Sequence, residues 1–221
     1  MEQQRTMTSV GIIGSGDVGI KLANSFHEIG YDVMLGSRDP HQDKLASWAK
    51  SRGARAQTGT FEQTANFGDI VVIATSWSGA ENAIRLVGPR NFSGKTVIDV
   101  TNPLDFSSGP PKLAIGMTDS AGETVQRLLP GANVVKAFNI VGNPHMFKPQ
   151  FDCGPPTMFI CGNSSEAKTT VTSILDKFGW ETIDLGGIQE SRLLEPLAMV
   201  WIKHYINTGS GNHAFKLLTK K

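Results

Sequence analysis

Apolar runs and amphipathic segments alternate along most of the chain. The clearest apolar runs span residues 10–13, 31–35, 70–74, 96–100 and 133–137. Their length and composition are typical of β-strands, and an uninterrupted run such as 70–74 is typical of a strand buried on both faces. Between these runs, apolar residues recur at helical spacing, as at Val18, Leu22, Phe26 and Ile29. The alternation predicts an α/β fold, in which a parallel sheet carries helices on both faces.

Shorter or less regular segments complete this prediction. Further strands are expected at 55–58, 157–161 and 182–185. Helices are expected at 18–29, 43–52, 60–65, 80–87, 124–129, 165–178 and 190–206. Irregular chain is expected at 105–117 and 138–156, because these segments are rich in residues that favour turns.

The last predicted helix, 190–206, is apolar on more than one side. Leu194, Leu197, Trp201 and Tyr205 lie on one predicted face, and Leu193, Val200 and Ile206 lie on another. Two apolar faces suggest that the helix packs on the sheet and also contacts another subunit. Burial in the core alone would explain the same pattern.

The first strand runs directly into a glycine-rich turn, Gly14-Ser15-Gly16-Asp17-Val18-Gly19, and the first helix follows. A GxGxxG spacing between a strand and a helix predicts a loop that binds a dinucleotide, whereas a purely structural turn is the alternative. The first glycine permits the tight turn, the second lets the backbone approach the phosphates, and the third lets helix and strand pack closely. Unpaired N–H groups at the helix N-terminus favour the negative charge of a pyrophosphate.

The end of the second strand predicts which dinucleotide binds. NAD-specific enzymes usually carry an acid here that holds the ribose 2′-hydroxyl, whereas Arg suits the 2′-phosphate of NADP. This strand ends in Gly36, and we expect the Ser37 hydroxyl and the Arg38 guanidinium to bind the phosphate by charge-assisted hydrogen bonds. Asp39 is interpreted as a turn or capping residue, since it stands between Arg38 and Pro40. NADP(H) is therefore the expected cofactor.

The composition is that of an ordinary globular protein, with 39% hydrophobic and 19% charged residues. A net charge of +1 gives no sign of a nucleic-acid or membrane-surface partner. Cys153 and Cys161 make no disulfide framework and no metal-ligand spacing, so no metal is expected. The N-terminus lacks the apolar core of a signal peptide and no apolar run is long enough to span a membrane, so a cytoplasmic location is expected.

Four segments together resemble a known family. They are Gly14-Ser15-Gly16-Asp17-Val18-Gly19, Leu35-Gly36-Ser37-Arg38, Asp99-Val100-Thr101-Asn102-Pro103 and Val135-Lys136-Ala137-Phe138-Asn139. In combination they are similar to the NADP oxidoreductases that depend on coenzyme F420. The resemblance implies a Rossmann-type α/β fold, a doubly wound and mostly parallel sheet of about eight strands with a C-terminal helical extension. It also implies NADP(H) in the glycine crevice and a deazaflavin stacked on the nicotinamide. The oxidoreductase domains of membrane-bound metalloreductases look similar, and they use a flavin instead.

The resemblance also implies roles for individual residues, most of which fall at the carboxyl ends of strands. Ser37 and Arg38 would hold the 2′-phosphate. The pyrophosphate would be surrounded by Gly14, Ser15, Gly16, Asp17 and Val18. The ribose and nicotinamide would be flanked by Ala74, Thr75 and Ser76, and the nicotinamide pocket would be lined by Asn102, Pro103, Ala137 and Asn139. Family members often have a further basic residue shortly after the Arg, where this chain has His41 and Lys44 without a clear match.

Hydride transfer between two stacked rings depends on alignment and on exclusion of water, because the cofactors carry the reactive chemistry. The sequence fits this requirement, since it shows no paired carboxylates and no Ser, His and Asp arrangement, and no catalytic residue is assigned. His145 could protonate or hold the acceptor, and an ordinary loop histidine is the alternative. The expected activity is hydride transfer between NADPH and a flavin-like carrier, with coenzyme F420 favoured.

Other functions fit parts of the same pattern. One is an NADPH-dependent flavin or ferric-chelate reductase, and another is a non-enzymatic NADPH-binding sensor. An imine or keto-acid reductase is less favoured, because such enzymes add a large helical domain and little chain follows Leu185. We expect residues 1–221 to form one domain, a dinucleotide-binding core over 1–140 with a smaller extension over 141–221. The expected partners are a small-molecule redox carrier and a second copy of the chain, which would form a homodimer through the last helix.

Overall fold

A computed structural model describes residues 8–220 and places eight strands in one sheet, with a separate two-stranded hairpin. The strands are β1 Ser9–Ile13, β2 Asp32–Gly36, β3 Ala56–Gly59, β4 Ile70–Ile73, β5 Thr96–Asp99, β6 Leu104–Asp105, β7 Lys112–Leu113, β8 Asn133–Lys136, β9 Thr157–Gly162 and β10 Glu181–Asp184. The helices are α1 Asp17–Glu28, α2 Asp43–Arg52, α3 Phe61–Phe67, α4 Trp77–Val87, α5 Ala121–Leu128, α6 Ser165–Lys177 and α7 Ser191–Thr208. Short 3-10 turns span Pro89–Phe92, Asn143–His145 and Ile188–Glu190.

The order of strands across the sheet is β10-β9-β8-β5-β4-β1-β2-β3. Neighbouring strands are parallel except β8 and β9, which pair antiparallel with Lys136 opposite Cys161. The predicted α/β fold and its mostly parallel sheet of about eight strands are therefore confirmed. The strand order reverses between β1 and β4, and ligands of open α/β sheets bind outside the carboxyl ends of the strands at such a switch point.

Helices cover the sheet on both faces and enclose two apolar clusters. One cluster contains Phe26 of α1, Trp48 of α2 and Phe178 beside α6. The other contains Phe61 of α3 and Phe92. The central strand β4 is buried along its whole length, as its uninterrupted apolar sequence predicts.

The segment 105–117 is more ordered than its sequence predicts. Leu104 pairs with Leu113 and Asp105 pairs with Lys112 in an antiparallel hairpin, so the expectation of purely irregular chain is wrong there. Strands of two residues are too short to produce an alternating pattern, and an ion pair of 3.4 Å between Lys112 Nζ and Asp105 Oδ2 joins them instead. The hairpin lies against α7.

The C-terminal helix α7 contributes to both apolar clusters. Leu194 lies in the cluster around α3 and α5, whereas Ala198 lies in the cluster around α1 and α6. Leu193 and Val200 are 60% and 57% exposed. These two residues are two turns apart and so project in the same direction. The predicted second apolar face is therefore present and uncovered in the single chain.

Within residues 8–220, no helix is long and apolar enough to cross a membrane. In the same part of the chain, no group of three or more His, Cys, Asp or Glu side chains is arranged to hold a metal ion.

Candidate functional site

The turn between β1 and α1 is held in a conformation that depends on its glycines. Gly14 has a φ of 119°, which disfavours any residue with a side chain, and its N–H donates to the Gly36 carbonyl at 3.1 Å. A Cβ added to Gly19 would lie 1.9 Å from the Gly14 oxygen, so the helix approaches the turn as closely as a glycine permits. A Cβ on Gly16 would meet nothing within 4 Å, and that open space faces the cavity beside the turn.

Helix α1 begins next to this open space. Gly16 is its N-cap residue, and no side chain within residues 8–220 caps the helix. The N–H groups of the first turn have no partner within a helix, and together with the helix dipole they favour an anion. The turn therefore has the geometry that a pyrophosphate needs.

Ser37 and Arg38 follow the end of β2, where the structure leaves no room for an acidic side chain. A Cβ on Gly36 would lie 2.7 Å from the Thr64 hydroxyl oxygen. Arg38 is exposed and forms no ion pair within residues 8–220, so its guanidinium is available to a ligand. The Asp39 carboxylate accepts from the His41 N–H at 3.1 Å, and the Asp39 N–H donates to Ser37 Oγ at 3.3 Å. Asp39 thus serves as a turn residue, as predicted.

A cavity of about 970 Å³ joins the glycine turn to the end of β2. It lies within the size range of pockets that hold small molecules. The predicted site residues that line it are Gly14, Ser15, Gly16, Ser37, Arg38, Ala74, Thr75 and Ser76. Gln42 and Asn82 also line it and were not predicted. Asn82 lies one turn after Ser78 on α4, so polar residues at helical spacing beyond Ser76 were the available signal. His41 and Lys44 are exposed and do not line the cavity.

A second cavity, of about 450 Å³, continues from the first across the end of β4. The two cavities share Gly16, Ser78 and the segment 74–76 in their walls, so they adjoin each other at the end of β4. The predicted residues Asp17, Val18 and Asn102 line the second cavity. Trp77, the first residue of α4, and Phe106, from the hairpin, line it with aromatic rings.

Three predicted pocket residues lie behind the cleft rather than in it. Pro103, Ala137 and Asn139 are buried and line neither cavity. Asn139 supports Asn102 through two hydrogen bonds: the Asn102 amide donates to the Asn139 carbonyl at 2.7 Å, and the Asn139 amide donates to Asn102 Oδ1 at 3.1 Å. Phe138 has a φ of 63°, which is uncommon for a bulky residue, and it turns the chain between β8 and Asn139. The structure therefore places these residues next to the predicted nicotinamide pocket.

Two buried polar atoms near this wall have no hydrogen-bond partner in the part of the chain that the structure describes. They are the Thr75 hydroxyl oxygen, in the wall shared by both cavities, and Asn139 Oδ1. An unpaired buried polar atom costs free energy, and such atoms at a cleft are typical of groups that a ligand completes. Of the two atoms, only the Thr75 hydroxyl lies in a cavity wall, where a ligand could reach it, whereas Asn139 Oδ1 lies behind that wall.

His145 lies away from this cleft. Its Nε2 is 3.1 Å from Asn212 Oδ1, and its ring lies 5.2 Å from the ring of Phe151. It lines neither cavity. These contacts favour the alternative interpretation of His145 as an ordinary loop residue that holds the C-terminal segment.

A buried charged cluster lies directly beneath the wall and was not predicted as part of the site. It consists of Asp99 at the end of β5, Lys136 at the end of β8 and Glu195 of α7, each at most 1% exposed. Opposite charges at the ends of two apolar strands were a signal for the first two residues. The local sequence pattern around Glu195 did not indicate its role, because the residues that Glu195 contacts are far away along the chain.

The sequence matches known proteins over most of its length. Residues 9–103 match the family model described as NADP oxidoreductase, coenzyme F420-dependent. An F420-dependent NADP reductase from Methanothermobacter marburgensis is 24% identical over 216 residues, which cover 92% of this chain and 95% of that protein. Metalloreductase STEAP3 from Rattus norvegicus is 27% identical over 198 residues, which cover 90% of this chain. The chain spans only 38% of that metalloreductase.

A solved structure extends the similarity to three dimensions. It is a protein from Arthrobacter sp. FB24 that is provisionally described as an F420-dependent NADP reductase. It is 33% identical to this chain, covers 96% of this chain and 100% of its own, and superimposes with a TM-score of 0.90. The two chains thus share the arrangement of the whole fold and not only the glycine turn.

Proposed function

The chain belongs to the family of coenzyme F420-dependent NADP oxidoreductases, and we propose that it transfers hydride between NADPH and the deazaflavin ring of F420. The observation that carries this proposal is the pair of adjoining cavities. One cavity joins the glycine turn to Arg38, and the adjoining cavity has aromatic walls at the predicted nicotinamide end. Such a cleft can hold a dinucleotide and a second ring in contact.

The phosphates of NADPH would be held at three points of the first cavity. The uncapped N-terminus of α1 faces the open space at Gly16, where the pyrophosphate would lie. Arg38 and the Ser37 hydroxyl would bind the 2′-phosphate. Gly36 supports the choice of NADP over NAD, because Thr64 blocks the position where NAD enzymes carry an acid.

The nicotinamide would lie against Thr75 and Asn102, where the two cavities meet. When bound, NADPH supplies the hydride. The Thr75 hydroxyl would gain the partner that it lacks among residues 8–220. The Asn102 side chain is fixed by Asn139 and can orient the ring without moving. Trp77 and Phe106 would pack on the carrier and exclude water from the space between the two rings.

A screen of carriers tests this function. NADPH oxidation should be followed without oxygen in the presence of F420, FMN, FAD or a ferric chelate. We expect F420 to accelerate oxidation most, and Phe106→Ala to slow the reaction with F420 while leaving NADPH binding unchanged. If no carrier accelerates NADPH oxidation, the assignment of a redox carrier is wrong. Tight NADPH binding without turnover would then favour a sensor.

A flavin or ferric-chelate reductase is the second candidate. It is favoured by the similarity to metalloreductase STEAP3, which extends over 90% of this chain. In the same screen it predicts that FMN, FAD or the ferric chelate is reduced faster than F420.

We also propose that the chain forms a homodimer through α7. Leu193 and Val200 present an exposed apolar strip on this helix. A second copy can cover such a strip on both chains at once, because a twofold axis brings the same surface of each chain together.

A further inference from the structure

Three charged side chains are buried together beneath the proposed nicotinamide pocket. Lys136 Nζ lies 2.8 Å from Asp99 Oδ2 and 3.0 Å from Glu195 Oε1. It also donates to the Thr101 carbonyl at 2.6 Å. Lys136 and Asp99 are completely buried, and Glu195 is 1% exposed. Burial alone would lower the pKa of Lys136, but the carboxylates of Asp99 and Glu195 raise it above its ordinary value, so the ammonium stays charged.

The carboxylates of Asp99 and Glu195 also accept hydrogen bonds from backbone N–H groups and from one hydroxyl. Asp99 Oδ1 accepts from the Thr101 N–H at 2.9 Å and from the Thr101 hydroxyl at 2.7 Å. Glu195 accepts from the N–H groups of Ala121 and Gly122, both at 3.0 Å, and so caps the N-terminus of α5. The cluster thus joins β5, β8, α5 and α7 through one set of charge-assisted bonds.

This cluster is in direct connection with the proposed pocket. Thr101, which is bound on both sides by Asp99 and Lys136, immediately precedes Asn102. The Asn139 amide donates to the Leu194 carbonyl at 3.0 Å, and Leu194 immediately precedes Glu195. Asn102 therefore follows a residue that is bound to the charged cluster, and Asn139, which supports Asn102 from behind the cleft, is bound to the residue that precedes Glu195.

Stability alone is a poor explanation for these charges. A buried ion pair is often no more stabilising than apolar residues of the same volume, because both charges lose their hydration. The same groups do fix direction, since charge-assisted bonds are short and strongly oriented. A cluster at this place is therefore suited to hold neighbouring groups in one geometry.

We propose that Asp99, Lys136 and Glu195 are positioning residues. They fix the position of Asn139 and, through it, the orientation of the Asn102 side chain toward the nicotinamide ring. Glu195 acts from the C-terminal helix, so α7 takes part in the cofactor site without touching the cofactor. The proposal rests on the proposed function, since it requires that NADPH binds in the cleft with its nicotinamide at Asn102.

Two ligands separate this role from a general effect on folding. NADPH and 2′-phospho-ADP-ribose share the phosphates and the adenosine, but only NADPH has the nicotinamide. Their affinities should be measured by calorimetry for the wild-type chain and for Glu195→Gln. We expect NADPH to bind about tenfold more weakly to the variant, the loss of roughly one hydrogen bond, while 2′-phospho-ADP-ribose changes by less than about twofold.

A matched control is available at the other end of β5. Lys95 Nζ donates to the carbonyls of Ala65 at 2.6 Å and Gly68 at 2.8 Å, before the strand begins. Lys95→Met should lower stability, because it leaves buried carbonyls without a donor. It should weaken neither ligand selectively.

NADPH is used rather than NADP⁺ because its dihydronicotinamide ring is uncharged. Removing the negative charge of Glu195 therefore has little direct effect on the ring.

Thr101→Val provides a second variant that keeps volume and all charges. It removes only the hydroxyl that donates to Asp99, and it should weaken NADPH selectively by a smaller factor of about threefold. If Glu195→Gln does not fold, this variant decides the question. Equal weakening of both ligands, or no weakening, in the folded variants would overturn the proposal. If neither ligand binds the wild-type chain, the proposed function itself is wrong.

Discussion

Arg38 is exposed, lines the larger cavity and forms no ion pair within residues 8–220. A guanidinium without a partner costs little to recruit, because no existing bond must be broken when a phosphate arrives. Its neighbour Asp39 is held in the turn by the His41 N–H. At this scale, the proposed preference for NADPH over NADH depends on one cation without an ion-pair partner in residues 8–220, Arg38, and on the absence of an acidic side chain at Gly36.

Arg38→Ala should therefore weaken NADPH far more than NADH. The expected loss for NADPH is about 1.5–3 kcal/mol, roughly 10- to 150-fold in dissociation constant, as for a charged hydrogen bond. Fluorescence titration with both dinucleotides measures it. Arg90→Ala is the matched control, since Arg90 is exposed and lines neither cavity. Equal losses for NADPH and NADH would remove Arg38 from this role.

Single residues also show how far sequence reasoning reaches. The placement of Gly14, Ser37 and Arg38 beside one cavity could be predicted, because it depends on their position relative to the adjoining strand and helix. Asn139 could be placed near the pocket only through the resemblance to a family. Lys136 and Glu195 could not be joined from the sequence, because their contact depends on how α7 returns across the sheet.

The β1-turn-α1 unit is the element on which the site depends. Gly19 lies in the first turn of α1, and the oxygen of Gly14 occupies the place of its missing side chain. Gly79 in α4 differs, since the nearest atom to an added Cβ would be the Ser76 hydroxyl at an ordinary 3.5 Å. Identical substitutions in the two helices should thus have opposite effects.

Gly19→Ala should destabilise the protein by about 1–3 kcal/mol, because the added methyl must displace backbone rather than a flexible side chain. It should also weaken NADPH binding, since the turn must shift. Gly79→Ala should instead stabilise the protein by about 0.5–1 kcal/mol through better helix propensity. Chemical denaturation of both variants gives the two values. A Gly19→Ala protein as stable as wild type would contradict the close approach seen in the structure.

Elements with strong periodicity were predicted within a few residues, whereas those set by tertiary contacts were not. Helix α2 was predicted at its observed bounds, Asp43–Arg52, and β4 within one residue. The hairpin β6-β7 was missed because each strand has two residues and is held partly by α7. Helix α4 begins three residues earlier than predicted, at Trp77, because its first turn contains Ser78 and Gly79, which do not extend the apolar pattern that starts at Ala80.

At the scale of the whole molecule, the exposed strip on α7 predicts how chains associate. One chain has a mass of 23.8 kDa, and the wild-type protein in solution should have about twice that mass. Val200→Glu should give a monomer, because it places a charge in the centre of the proposed contact. Light scattering after size exclusion measures both masses.

Leu86→Glu is the control for this change, since Leu86 is 56% exposed on α4 and Val200 is 57% exposed. It should leave the mass unchanged. A wild-type monomer at micromolar concentration, or a Val200→Glu protein that remains dimeric, would contradict assembly through α7.

Glu195 also makes the start of α5 depend on a segment that is synthesised much later. The strands through β8 precede α7 in the chain, and a domain folds as a unit, so α5 cannot gain this acceptor until α7 is present. Until α7 docks, the Ala121 and Gly122 N–H groups lack the acceptor that the finished protein gives them. The glycine turn uses only residues near the start of the chain, whereas the support of Asn139 by Leu194 needs α7. A chain that ends before α7 would therefore contain every residue of the glycine turn and still lack the support of Asn139.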